Sequence, residues 1–189
     1  CLPINGDPLT LSVIKKALYD SHKFKISSQE INISNNLTNA TFTYKTLNEA
    51  QSLADFLAHS CPNPKTALLG ISEIFINAVE HGNLSINYEE KTQIHNKENW
   101  MKLVEDKLAE KENKNKVVTV SFVKDHEKIT ITVTDQGKGF DWKKFQKLDS
   151  VRNLDTHGRG IFMAKTLSFK GLEFKGAGNI VVATIGLQE

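Results

Sequence analysis

The spacing of apolar positions changes period several times along the chain, and each change marks an element. In "TFTYKT" (41–46) β-forming residues alternate with polar ones, which predicts a strand. Residues 47–60, "LNEAQSLADFLAHS", place Leu53, Phe56 and Leu57 at helical spacing. "CPNPK" then interrupts the chain. Asn63 can cap and Pro64 can take the first helical position, starting a helix that Gly82 ends. That helix carries Leu68, Ile71, Ile74, Phe75, Ile76, Ala78 and Val79 and is apolar on nearly every side, apart from one polar stripe of Glu73, Asn77 and Glu80.

Residues 88–116 are dense in charge, yet Trp100, Leu103, Val104 and Leu108 still recur at helical spacing. They predict an amphipathic helix with a solvated outer face. "VVTVSFV" (117–123) and "KITITVT" (128–134) alternate as two strands joined through "DHEK" as a hairpin. A helix beginning near Gly158 carries Ile161, Ala164 and Leu167, and "NIVVATIGL" (179–187) is a last strand. Residues 1–30 show less periodicity, with "LTLSVIKKALYD" as a short amphipathic helix and "SSQEINISNNLTNA" as loop.

The resulting order predicts an α+β fold: a two-layer α/β sandwich whose mixed, mostly antiparallel sheet carries helices on one face. It lacks the regular alternation of a Rossmann fold. Residues 1–38 read as an N-terminal segment or linker, and 39–189 as one domain with a charged helical insert at 88–116. At 189 residues the chain can bury a substantial core. It opens with Cys1 rather than Met and reads as a piece of a longer protein. Cys1 and Cys61 form neither a disulfide framework nor a metal spacing, which favours the reducing cytoplasm. A net charge of +2 gives no nucleic-acid footprint. No apolar run approaches the roughly 20 residues that span a bilayer.

Three segments carry candidate chemistry. The second hairpin strand runs into "DQGKGF" (135–140). Gly137 and Gly139 let backbone turn sharply and approach a ligand, and Asp135 offers an acceptor-only carboxylate at the strand end. A purine's exocyclic amine is one donor that fits; a tight turn closed by the Asp135 side chain is the plain alternative. "THGRGI" (156–161) puts Gly158, Arg159 and Gly160 at a helix start, where free N–H groups and a guanidinium suit phosphate oxygens. A surface arginine on a glycine-rich helix start is the plain alternative there. On the polar stripe, the Asn77 amide oxygen is a hard ligand of the kind Mg²⁺ accepts, and Glu73 can act as a general base. Both can equally cap local backbone or face solvent. His81 reads as a helix terminator with a local hydrogen bond.

In this order the three segments resemble the GHKL ATPases, which include the ATP-binding domains of gyrase, heat-shock chaperones, mismatch-repair proteins and histidine kinases. "EIFINAVEHGN" is similar to the family's Asn-bearing helix, "DQGKGF" to its first glycine box and "HGRGI" to its second. The resemblance covers roughly residues 40–187. Glu-x-x-x-Asn-Ala-x-x-His-Gly most resembles the bacterial anti-sigma-factor serine kinases. The short stretch from Asp141 to His157 matches that branch better than gyrase.

The resemblance implies a set of roles. ATP and Mg²⁺ are the implied cofactors, with Asn77 as the metal ligand, Asp135 on the adenine amino group and Thr184 supporting the adenine pocket. Gly137, Gly139 and Phe140 belong to the base-binding box, and Gly158, Arg159 and Gly160 to a lid over the phosphates. His81 lies within the nucleotide motif, and Glu73 would activate a substrate serine. The implied activity is a regulatory protein serine/threonine kinase in signal transduction, phosphorylating an anti-sigma-antagonist-like partner. A sigma factor is a second implied partner and a homodimer the implied assembly. The alternatives are an ATP-binding switch without turnover and the ATPase part of a two-component signalling protein. None of the six histidines sits in a phosphoacceptor hairpin.

Overall fold

The computed structural model describes residues 36–87, 90, 94, 96–140 and 166–187. Strand β1 (Asn39–Tyr44) passes into helix α1 (Leu47–Ala58) through a capping box. Thr46 Oγ1 accepts the Glu49 amide at 3.2 Å, and Glu49 Oε2 accepts the Thr46 amide at 2.9 Å. Helix α2 (Pro64–Asn77) starts as its sequence predicts: Asn63 Oδ1 accepts from the Thr66 amide at 3.2 Å and Pro64 opens the first turn. The helix then widens into a π-helical turn, Ala78–Asn83.

The charged insert contributes helix α3 (Lys97–Ala109), started by Asn96. Its Val104 is buried, and Trp100, Leu103 and Leu108 pack against the core, so the helical period within the charge-dense stretch was informative. Strands β2 (Val118–Lys124), β3 (Lys128–Thr134), β4 (Gly171–Lys175) and β5 (Ile180–Gly186) follow.

The sheet order is β1-β2-β3-β5-β4, with β3 in the centre. All four pairings are antiparallel, so the expected mixture contains no parallel pair among the described residues. For two of them the reason is local: the connections β2–β3 and β4–β5 are too short for the crossover a parallel pair needs. Strand β4 has no counterpart in the sequence reading. It is an edge strand whose Glu173 and Lys175 are exposed on one face while Leu172 and Phe174 are half-buried on the other.

One face of the sheet meets the helices. Val118, Val120, Phe122, Ile129, Ile131, Val133, Ala183 and Ile185 are buried together with Ala50, Ala54 and Leu57 of α1 and Ile71, Ile74 and Phe75 of α2. Each large side chain so buried contributes about 1.5–3 kcal/mol. The other face carries hydroxyls at Thr119, Ser121, Thr130, Thr132 and Thr134, all half-buried. The two-layer α+β sandwich is therefore the fold of the described residues. Leu167, expected on one helical stripe with Ile161 and Ala164, is 54% exposed. No helix among the described residues is long and apolar enough to cross a membrane. The readings of residues 1–35, of the second glycine box and of the helix from Gly158 through Ala164 lie outside the described residues.

Candidate functional site

The site is built where the end of α2 meets the exit of β3. At the α-to-π junction the spacing of backbone hydrogen bonds lengthens: the Leu84 amide reaches the Val79 carbonyl at 2.9 Å, an i→i−5 bond. The Tyr44 hydroxyl, in the core, donates to the Phe75 carbonyl at 2.8 Å just before this junction. Burial, and then the charge of Asp135, push the Tyr44 phenol far above its ordinary range, so it stays a neutral donor. The changed rotation per residue also breaks the predicted polar stripe. Glu73 and Asn77 remain half-buried on α2, whereas Glu80 turns inward and is 2% exposed.

Glu73 and Asn77 are bonded to one another, Asn77 Nδ2 donating to Glu73 Oε1 at 3.1 Å. With Nδ2 engaged, Asn77 Oδ1 is the atom left to meet a cation. No cluster of three or more His, Cys, Asp or Glu exists among the described residues, so no all-protein metal cage is present there. One amide oxygen completed by phosphates and water is a set that suits Mg²⁺. His81 does not terminate the helix, since the π turn runs on to Asn83, but it makes the expected local hydrogen bond. Its Nδ1 lies 2.6 Å from the Ile86 carbonyl, which puts the hydrogen on Nδ1.

Asp135 leaves β3 on the helix-covered side and is 8% exposed. Its Oδ1 accepts the Gly137 amide at 2.8 Å, so the turn closed by the Asp135 side chain is realised. Burial holds the carboxyl above the ordinary aspartate range, opposed by the Gly137 and Asp135 amides and by the charge of Lys116. A buried carboxylate under that penalty is suited to a donor that arrives with a ligand. The π turn presses on it: a β-carbon at Gly82 would lie 2.5 Å from the Asp135 Cγ. A β-carbon at Gly137 would overlap the Gly82 carbonyl, and one at Gly139 the Ala177 carbonyl. Gly139 also sits at φ +74°. The close approaches that these glycines permit are thus chain against chain. Phe140 joins the β4–β5 hairpin, its amide on the Ala177 carbonyl at 2.9 Å and its ring edge-on to Phe174.

Thr184 does not join this group. Ala183 and Ile185 point into the core, so Thr184 faces the opposite side of the sheet from Asp135. It pairs with Thr130, roughly 17 Å along β3 from Asp135 at the usual rise per residue. The β5 side of the Asp135 turn is supplied instead by Asn179, whose Nδ2 donates to the Asp135 carbonyl at 3.2 Å. Gly158, Arg159 and Gly160 lie outside the described residues.

Two residues unmarked in the sequence reading prove central. Asn83 closes the π turn at 2% exposure, its Oδ1 accepting the Gln136 amide at 2.7 Å. Lys116 donates to the Asn83 carbonyl at 2.8 Å. Asn83 Nδ2 is buried without a partner among the described residues, at a cost of about 1–3 kcal/mol. The "HGN" triplet beside an expected polar site was the available signal. A cleft of about 210 Å³ lined by Asn63, Thr66 and Ser168 sits at the other end of α2, away from this chemistry.

No curated protein matches the chain. A family model, the histidine kinase-like ATPase domain, matches residues 46–185. The match runs from the cap of α1 to β5 and takes in Glu73, Asn77, the π turn and the Asp135 turn. The chain belongs to the histidine kinase-like ATPase domain family.

Proposed function

We propose that the chain binds Mg²⁺–ATP between the end of α2 and the exit of β3, and transfers phosphate to a serine of a protein partner. The single observation that carries the reading is the bonded pair Glu73–Asn77, one turn before the π turn whose Gly82 touches Asp135. Asp135 would accept the base amino group, and Asn77 Oδ1 would hold the metal. ATP would supply the γ-phosphoryl group, with ADP leaving, and Mg²⁺ would neutralise the charge. Glu73, hydrogen-bonded to Asn77, would take the proton from the serine hydroxyl as its oxygen bonds to phosphorus. Arg159 with Gly158 and Gly160 would cover the phosphates. The Glu-x-x-x-Asn-Ala-x-x-His-Gly resemblance supports an anti-sigma-antagonist-like protein as the serine donor, with a sigma factor as a second binding target and a homodimer as the assembly.

A second reading is favoured by the same bond. If Glu73 serves only to orient the Asn77 amide, the domain is a nucleotide-controlled switch without turnover. The experiment that tests nucleotide binding is calorimetry of ATP with and without Mg²⁺, on wild type and Asn77→Ala. Affinity that needs both the metal and Asn77 is expected. A folded wild-type protein that binds no ATP would overturn both readings.

A further inference from the structure

Asn113 and Lys116 close the charged insert, and both turn inward. Asn113 is 3% exposed. Its Nδ2 donates to the Lys107 carbonyl at 3.0 Å and to Glu110 Oε2 at 2.9 Å, at the end of α3. Its Oδ1 accepts from Lys116 Nζ at 2.9 Å, and the same ammonium donates to the Asn83 carbonyl. Asn83 holds the Gln136 amide. Gln136 Oε1 accepts the Val117 amide at 2.8 Å, which returns the chain of bonds to the neighbour of Lys116. The insert, the π turn and the loop after β3 are thus joined in a closed ring. Lys45 anchors the same segment by donating to the Lys114 carbonyl.

We propose that Lys116 is a positioning residue for the nucleotide site: fixed to α3 through Asn113, it holds Asn83 and through Asn83 the Gln136 amide, and so sets where the Asp135 carboxylate stands. The proposal rests on the reading of Asp135 as the base-binding group. Four arguments support it. Ordering a lysine side chain costs rotamer freedom, which a solvated end to the insert would not require. Its bonds are charge-assisted and so outweigh neutral ones. Asn83 is kept despite an unpartnered buried donor, so its value lies in what its two oxygens hold. The Lys116 charge is also among the influences that draw the Asp135 carboxyl down against burial. The 88–116 insert is on this account part of the site's framework, and α3 is coupled to the base-binding turn.

The test uses the 189-residue chain as wild type, Lys116→Met and Lys116→Arg, with two measurements. Amide hydrogen exchange is followed by NMR at Gln136 and Gly137, with Ile131 in the middle of β3 as control. Binding of ATP and of tripolyphosphate, which lacks a base, is followed by calorimetry. In Lys116→Met, exchange at Gln136 and Gly137 should rise about tenfold or more with Ile131 unchanged. ATP affinity should fall about tenfold while tripolyphosphate affinity holds, and Lys116→Arg should restore both. Unchanged exchange at Gln136 and Gly137 in a folded Lys116→Met would overturn the proposal, as would equal weakening of the two ligands. A wild type that binds no ATP overturns the function of Asp135 instead, and the exchange measurement then decides the role of Lys116 alone. If Lys116→Met does not fold, Lys116→Gln, which keeps donors without charge, carries the same comparison.

Discussion

The Gly82 carbonyl occupies the space that a side chain at Gly137 would need, so the end of α2 and the loop after β3 meet backbone to backbone. Neither partner can move cheaply, because Gly82 also abuts the Asp135 carboxylate. Gly137→Ala should therefore cost about 1–3 kcal/mol, read as a lower urea midpoint at unchanged slope. Gly171→Ala is the control. Its β-carbon would find Thr184 at 3.8 Å, ordinary contact, and its stability should stay within about 0.5 kcal/mol of wild type.

Asp135 sets stability against binding. Because burial raises its folded pKa above the unfolded value, the native state takes up a proton first as pH falls. The ionised carboxylate thus weakens the fold at neutral pH, and that penalty fades as pH drops through the raised pKa. Asp135→Asn removes it, and its thermal midpoint at pH 7 should equal or exceed that of wild type. ATP affinity should nonetheless fall about tenfold or more, since one acceptor becomes a donor. In wild type, ATP affinity should decline on acidification at a higher pH than an ordinary aspartate would give, and this decline should vanish in Asp135→Asn.

Glu73→Gln separates the two readings of function. Glutamine keeps an oxygen for the Asn77 amide but cannot take a proton, so metal-dependent ATP binding should survive within about twofold. Phosphate transfer to a partner serine should drop by about 10²-fold or more if Glu73 is the base. Full transfer by Glu73→Gln, measured with labelled ATP, would remove Glu73 from the chemistry.

Tyr44 supports the π turn from below. Tyr44→Phe leaves the Phe75 carbonyl without its side-chain donor in the core and should cost about 1–3 kcal/mol in denaturant unfolding. Because the phenol is neutral throughout the accessible range, the loss should be the same at pH 6 and pH 9.

What the sequence disclosed was local. The Asn63–Pro64 helix start, the Glu73–Asn77 spacing and Asp135 at a strand end all depend on neighbours within a turn or a strand, and all stand as read. Thr184 was misplaced although the signal was present: with Ala183 and Ile185 facing the core, period-two alternation puts Thr184 on the other side. The Lys116–Asn83–Gln136 ring had no such signal. Its bonds join residues 33 and 53 positions apart, and an asparagine or lysine at those positions looks like any polar surface residue until the chain is folded. The π turn was hidden for a related reason. Gly82 within it reads as a helix end rather than as a widened turn, and the close contact of Gly82 with the Asp135 turn joins positions far apart in the chain.

The antiparallel order of the sheet also fixes a sequence of events in folding. The β2–β3 and β4–β5 pairings are hairpins that can form early. Pairing of β1 with β2, which sets Asn39 opposite Val123, must close a loop of roughly eighty residues, the longest among the four pairings, and should follow the hairpins. Gly82 lies inside that loop and Gly137 beyond it, so their meeting is a long-range contact as well and waits for α2 to dock. A chain that has formed its hairpins but not yet docked α2 therefore has no complete cleft, and nucleotide added during refolding should bind only after the last long-range contact is made, reporting completion of the fold rather than guiding it.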